Sequence, residues 1–216
     1  DCSIAILPNP ALPFTEDFEN GGNLPDAWAQ AQASGAKAWE FVTGSPNGSP
    51  VNAHGGIRNA CLYVNTMTQA VTRLISPMLD FGDDAKAARV TFWHHMERWS
   101  TGQDELRVYY KTSWAAEWEP VATYAASVIS WTQRTIDLPA PSRTAYLAFE
   151  GMARYGYGVC VDDVAVWDPT PPLGITNADP LTPAVIEAAY TNRLAAEGGV
   201  PPYTYAIIAG GLPTGF

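Results

Sequence analysis

Alternation of apolar and polar positions is clearest from Arg89 onward, where Val90, Phe92 and His94 fall on one face of an extended chain and Thr91, Trp93 and His95 on the other. Leu106, Val108 and Tyr110 repeat that period of two, and residues 39–42, 60–64, 71–75, 118–121, 135–138 and 146–149 supply further short strands. Segments 60–64 and 71–75 read as a strand pair. Turn chemistry separates the runs: Asn20-Gly21-Gly22-Asn23, Asp83-Asp84-Ala85-Lys86, and Thr101-Gly102-Gln103-Asp104, the last a hairpin-like connection between the strand from Arg89 and that of Leu106. No helical periodicity precedes Asp168. The pattern therefore predicts an all-β antiparallel sandwich over residues 14–168, with Phe18, Val90, Phe92, Val108, Leu147, Phe149 and Val164 inside.

Residues 159–167 break the alternation in an instructive way. Val159, Val161, Val164 and Val166 favour a half-buried strand, but their spacing slips from two to three across Asp162 and Asp163, which predicts a β-bulge. Two adjacent carboxylates repel each other unless donors or a cation sit between them, and a hard ion such as Ca²⁺ suits carboxylate oxygens; a solvated strand end is the alternative. Glu16, Asp17 and Glu19 form a second acidic cluster. First and last strands of a jelly roll are often neighbours, so the clusters can meet, with Glu19, Asp162 and Asp163 near one ion, Asp17 in reserve, and backbone oxygens from residues 48–54 completing the shell. Paired carboxylates could also serve a glycosidase, but these lie at a sandwich edge rather than in a cleft.

The formal net charge of −10 argues against nucleic acid as a partner, and no run of about eighteen apolar residues exists to span a membrane. Cys2, Cys61 and Cys160 fit neither a zinc nor a redox spacing. If two of them pair, Cys61 and Cys160 are the candidates, since both lie in strands of the sandwich and Cys2 lies in the Pro-rich lead-in, residues 1–13; in a reducing compartment all three are small apolar residues. His94, His95 and Glu97 do not converge on one ion, because strand neighbours point to opposite faces. His94 is expected to be buried with a hydrogen-bonded partner, and His95 to lie on the outer face. His54, in the Gly-rich segment 44–56, reads equally as a loop-stabilising group or a ligand. No Gly-x-Ser-x-Gly elbow is present. Trp93, Trp99, Tyr109, Trp114 and Tyr155 are candidates for exposed rings that stack on sugars or anchor a protein; otherwise they cover the sheet.

The order Glu16-Asp17-Phe18-Glu19-Asn20-Gly21, Trp39, Pro50 with Ala53-His54-Gly55, Ser76-Pro77 before Leu79-Asp80, Val90-Thr91-Phe92-Trp93-His94, Asp104 before Leu106-Arg107-Val108, Trp118, Trp131 before Ile136-Asp137-Leu138, and Val161-Asp162-Asp163-Val164 resembles the bacterial cleaved-adhesin or choice-of-anchor J domains. It is similar, more distantly, to the MAM domains of eukaryotic surface proteins. The resemblance implies a jelly-roll sandwich that acts as a non-catalytic binding module in secreted or surface proteins, in many cases with bound Ca²⁺.

Asp168-Pro169-Thr170-Pro171-Pro172-Leu173-Gly174 reads as a boundary, with residues 169–174 a semi-rigid linker. Beyond it, Ala188-Ala189-Tyr190, Leu194-Ala195-Ala196, Gly198-Gly199-Val200-Pro201-Pro202-Tyr203 and Gly211-Leu212-Pro213-Thr214-Gly215 resemble the first half of bacterial Ig-like domains, with Glu187-Ala188 where a Gly-x turn is usual. Tyr190, Leu194, Tyr203, Tyr205, Ile207 and Leu212 form an apolar set in residues 175–216 that lacks opposing strands, so self-association through this segment is expected. The sequence thus points to an extracellular adhesion module, calcium-stabilised, with a protein or glycan ligand. An accessory domain of a secreted protease or glycosidase, or a structural subunit of an extracellular assembly, is the alternative.

Overall fold

The computed structural model describes residues 12–83, 85, 87–170, 174–175 and 195–197, and every structural statement concerns these. The chain divides into two compact units, residues 1–169 and 170–216. No helix occurs among the described residues. In the first unit, β1 (Phe14–Glu16), β3 (Glu40–Val42), β4 (Asn59–Leu62), β6 (Ala88–Met96), β9 (Val128–Leu138) and β11 (Val159–Trp167) make one sheet, in the order β3-β4-β11-β6-β9 with β1 also on β11. The second sheet runs β2-β5-β10-β7-β8, from β2 (Ala29–Ser34), β5 (Ala70–Ile75), β7 (Glu105–Lys111), β8 (Glu119–Tyr124) and β10 (Tyr146–Ala153). All pairings are antiparallel. Successive strands mostly cross to the other sheet.

That crossing corrects two expectations. Segments 60–64 and 71–75 do not pair: β4 lies between β3 and β11, and β5 between β2 and β10. The Thr101–Asp104 turn is no sheet hairpin either, since β6 and β7 belong to different sheets, although Trp99 and Gly102 exchange backbone hydrogen bonds. Alternation decides which face of a strand is buried but not which strand lies beside it. Two elements were missed or shortened. β2, with mostly exposed Ala, Gln and Ser, has no apolar face to signal it, and the Val128–Thr132 half of β9 has no fully buried residue.

The core follows the alternation. Phe18, Val90, Phe92, Val108, Leu147, Phe149 and Val164 are all buried, and Phe92 meets Phe149 edge to face at 5.0 Å across the two sheets. His94 lies on the same inner face, fully buried; contrary to expectation, neither ring nitrogen has a hydrogen-bond partner among the described residues. Its ring instead packs on Tyr124 at 5.3 Å, and Arg134 lies over that same ring. The ring is held neutral: burial, reinforced by the Arg134 and His95 charges, pushes its pKa down to about 3.

The anticipated bulge is present. The β11–β6 register shifts between Asp162 and Ala165, and Asp163 takes φ 45°. First and last strands are neighbours, with Glu16 opposite Val164. In the second unit, β12 (Gly174–Ile175) pairs antiparallel with β13 (Ala196–Glu197). The Ig-like motifs at 188–190, 198–203 and 211–215, Leu194 of the motif 194–196, and the apolar set proposed for self-association lie outside the described residues.

Candidate binding site

Most positions of β5, β7 and β10 are apolar or alternate cleanly, yet each strand carries charge on its outward face. Glu150 of β10 stands directly between Arg73 of β5 and Arg107 of β7. The Arg73 Nε donates to Glu150 Oε2 at 2.7 Å, Arg107 Nη1 to Oε1 at 3.5 Å, and the Tyr109 hydroxyl to Oε1 at 3.3 Å; Arg107 Nε also donates to Glu105 at 2.5 Å. Glu150 is 4% exposed, and this set of donors is what keeps a charge tolerable there.

Aromatic rings lie beside this ladder. The Arg73 guanidinium sits 4.4 Å above the Tyr109 ring and 5.7 Å from Trp118. One row along, opposite Tyr146, Lys111 projects its ammonium into Trp114, Trp118 and Tyr146, at 4.3, 4.7 and 5.3 Å from their centroids, and donates to the Trp114 carbonyl at 2.8 Å. Burial, with the Arg73 charge, holds the Lys111 pKa below its usual range, against the opposing pull of Glu117. Trp114 is 70% exposed and packs edge-on against Tyr146. At the other margin β2 contributes exposed Ala29 and Ala31, in register with Ile75 and Arg73. The outer face of this sheet is thus a charge-paired platform with rings on one side and small residues on the other. Ring faces stack on apolar C–H surfaces while guanidinium and carboxylate groups donate to and accept from hydroxyls.

The acidic residues singled out from the sequence gather on the other sheet, around the loop 44–58. Asp162 Oδ2 accepts the amides of His54 and Gly55 at 2.9 and 3.2 Å, and its Oδ1 accepts the Asp163 amide at 2.9 Å. Asp163 Oδ2 contacts His54 Nδ1 at 2.6 Å, and Glu19 Oε1 accepts the Ile57 and Arg58 amides at 2.6 and 2.7 Å. Gly55 makes this approach possible, since a Cβ there would stand 2.6 Å from the Asp163 carboxylate. Burial, with the Asp163 charge, raises the Asp162 pKa to about 7 against the lowering by its amide partners. Asp17 accepts the Glu19 amide at 3.2 Å and so serves its own turn. As placed, these carboxylates anchor backbone N–H groups, and no three His, Cys, Asp or Glu side chains are grouped to hold a metal among the described residues.

The same loop roofs the outer face of the first sheet. His54 stacks on Trp93 at 3.7 Å, Trp131 Nε1 donates to the Asn52 carbonyl at 3.1 Å, Ser49 bonds Glu97, and Ser45 bonds the Tyr157 carbonyl. His95, on the outward face as expected, is nonetheless buried, edge-on to Trp131. The five aromatic candidates therefore part company. Trp93 is under the loop; Trp99 packs on Tyr157 at 5.2 Å, and the turn it opens brings Gly102 against the Tyr155 carbonyl; Tyr109 and Trp114 join the platform. Arg73, Lys111, Trp118, Tyr146 and Glu150 were not anticipated. The available signal was a single charge inside an apolar strand, Arg73 in residues 71–75 and Glu150 in residues 146–153. Cys61 and Cys160 are free, buried, and directly opposite each other on β4 and β11.

Comparison with known proteins bears on this geometry. The family model described as MAM domain, meprin/A5/mu, matches residues 17–170. Among solved structures, the K3 cleaved adhesin domain of Lys-gingipain from Porphyromonas gingivalis is similar with TM-score 0.56 and 22% identity, over 71% of this chain and 96% of that one. The K2 domain of the same protein gives 0.56 and 22% over 72% and 97%. A family 61 carbohydrate-binding module solved with β-1,4-galactotriose gives 0.51 and 16%, over 70% and 94%. At these identities the likeness is one of fold. No match is found among curated protein sequences.

Proposed function

This chain belongs to the MAM (meprin/A5/mu) family, matched over residues 17–170, and from that premise we propose that its sandwich is a non-catalytic extracellular binding module whose ligand is a neutral, hydroxyl-rich glycan. The observation that carries the reading is the pairing, on one sheet face, of Arg73 and Glu150 with the rings of Tyr109, Trp118 and Trp114, the last of them 70% exposed. Arg73 and Arg107 are neutralised by Glu150 and Glu105 across β5, β10 and β7, and the Lys111 ammonium is taken up by the rings of Trp114, Trp118 and Tyr146 and the Trp114 carbonyl, so the platform offers hydrogen bonds and stacking more than a net field. That favours hydroxyls over phosphate or sulfate. The galactotriose carried by the similar family 61 module supplies a first probe. Calorimetric titration and a glycan array should find a neutral oligosaccharide whose binding weakens roughly 10- to 100-fold in Trp118→Ala and Arg73→Ala, as expected for losing about 1.4–3 kcal/mol of stacking and hydrogen bonding. Binding unchanged in both variants would move the site elsewhere, and capture of a protein ligand alone would replace the glycan.

Calcium is a second proposal, favoured by one observation: Asp162 is fully buried beside Asp163 with no basic side chain paired to it among the described residues. Hard oxygens from Glu19, Asp162 and Asp163 line one loop, and an ion there would take over part of the stabilisation now given by amides. Melting temperature should rise with free Ca²⁺ and fall in excess chelator. Identical melting in both conditions leaves these carboxylates as loop anchors alone.

A further inference from the structure

We propose that Cys61 and Cys160 are the site of a cross-strand disulfide that closes when the chain folds under oxidising conditions and staples β4 to β11. The two residues are register partners in an antiparallel pair, where facing Cα atoms lie about 4.5–5.5 Å apart, inside the range a disulfide spans. Their sulfurs are 3.1 Å apart, closer than two unbonded sulfurs rest and about 1 Å from a bond length of ~2.05 Å. Both side chains are buried, and the Cys160 thiol contacts the Gly44 carbonyl at 3.8 Å, so the pair lies at the root of the loop that carries His54.

Burial decides when the bond can form. In the folded chain it pushes the Cys160 thiol well up, with Cys61 adding to the shift, so thiolate is scarce and reagents are excluded. Oxidation therefore belongs to the folding chain, before β4 and β11 close. A thiolate of one cysteine attacks a small disulfide such as oxidised glutathione, releasing one glutathione thiol and leaving a mixed disulfide. The second cysteine then displaces the other glutathione as a thiol, so two protein thiols lose two electrons and two protons and one disulfide is reduced to two thiols. Once formed, the bond is shielded by the same packing. It would close a loop of about a hundred residues, which is where a crosslink restricts the unfolded chain most.

The test uses the full chain and a Cys2→Ser variant, each refolded from denaturant in reduced and oxidised glutathione, then alkylated in denaturant without reduction and digested. The expected result is a peptide pair joined through Cys61 and Cys160, neither alkylated, in both proteins, with the melting temperature lowered by about 5–15 °C when reductant is present throughout unfolding. Cys160→Ala serves as control, and its melting should be indifferent to reductant. Alkylation of both cysteines in the Cys2→Ser chain, a bridge to Cys2 in the parent, or parent melting indifferent to reductant would overturn the proposal.

Discussion

Trp93 and Trp131, on the outer face of the first sheet, are roofed by the chain's own loop 44–58, whereas Tyr109, Trp114 and Trp118, on the second, are met by the side chains of Arg73 and Lys111. Both faces carry aromatics and carboxylates in similar supply. The difference is what neutralises them. Around the loop, Glu19 and Asp162 are held by backbone amides, so removing a carboxylate orphans donors that cannot move away. On the platform, Glu150 is held by long guanidinium side chains that water can re-solvate. The first face should therefore govern stability and the second recognition.

The largest expected effect is Gly44→Ala. Gly44 has φ 62°, and an added Cβ would run into the carbonyls of Pro50 and Val51 at the base of the loop. Strain and overpacking together predict a loss of about 3 kcal/mol or more in chemical denaturation, against at most ~0.5 kcal/mol for Trp114→Ala on the open face. Equal losses would erase the distinction. Next, Asp162→Ala should cost about 2–3 kcal/mol by stranding the His54, Gly55 and Asp163 amides. Glu150→Ala should cost roughly 1 kcal/mol, read from the same urea midpoints, and a reversed order would show that the platform is structural.

The pH dependence sharpens the picture further, because two buried groups pull in opposite directions. Folded Asp162 keeps its proton up to about pH 7 but loses it near pH 4 when unfolded, so its contribution is full below about pH 4 and is lost as pH rises toward 7. Folded His94 stays neutral down to about pH 3 but takes a proton near pH 6.5 when unfolded, so its contribution is full above that value and is lost as pH falls toward 3. Asp162→Asn should leave a stability curve that rises between pH 4 and 6.5, and His94→Phe one that falls over the same window. Parallel curves in the two variants would contradict these placements. The last comparison concerns rings alone: Trp93→Ala, which uncovers His54, should cost about 1–2 kcal/mol and spare glycan binding, while Trp114→Ala should do the reverse.

Much of this was legible along the chain. The period of two through Val90, Phe92 and His94 fixes which face of β6 is buried, and the three-residue slip at Asp162 and Asp163 marks the bulge, because side-chain direction in a strand depends on local backbone alone. The neighbouring of first and last strands also followed, whereas the expected gathering of Glu19, Asp162 and Asp163 around one ion is replaced by carboxylates that each accept amides of the loop. Strand partners did not follow. Which strand lies beside β4 or β7 depends on closing long loops across two sheets, a free energy shared among many contacts and written in no single turn. The platform has the same origin. Arg73, Tyr109 and Glu150 come from three strands and Trp118 from the segment just before β8, and each alone reads as an ordinary surface or strand residue; only the register of β5, β10 and β7 and the approach to β8 bring guanidinium, carboxylate and rings within one another's reach.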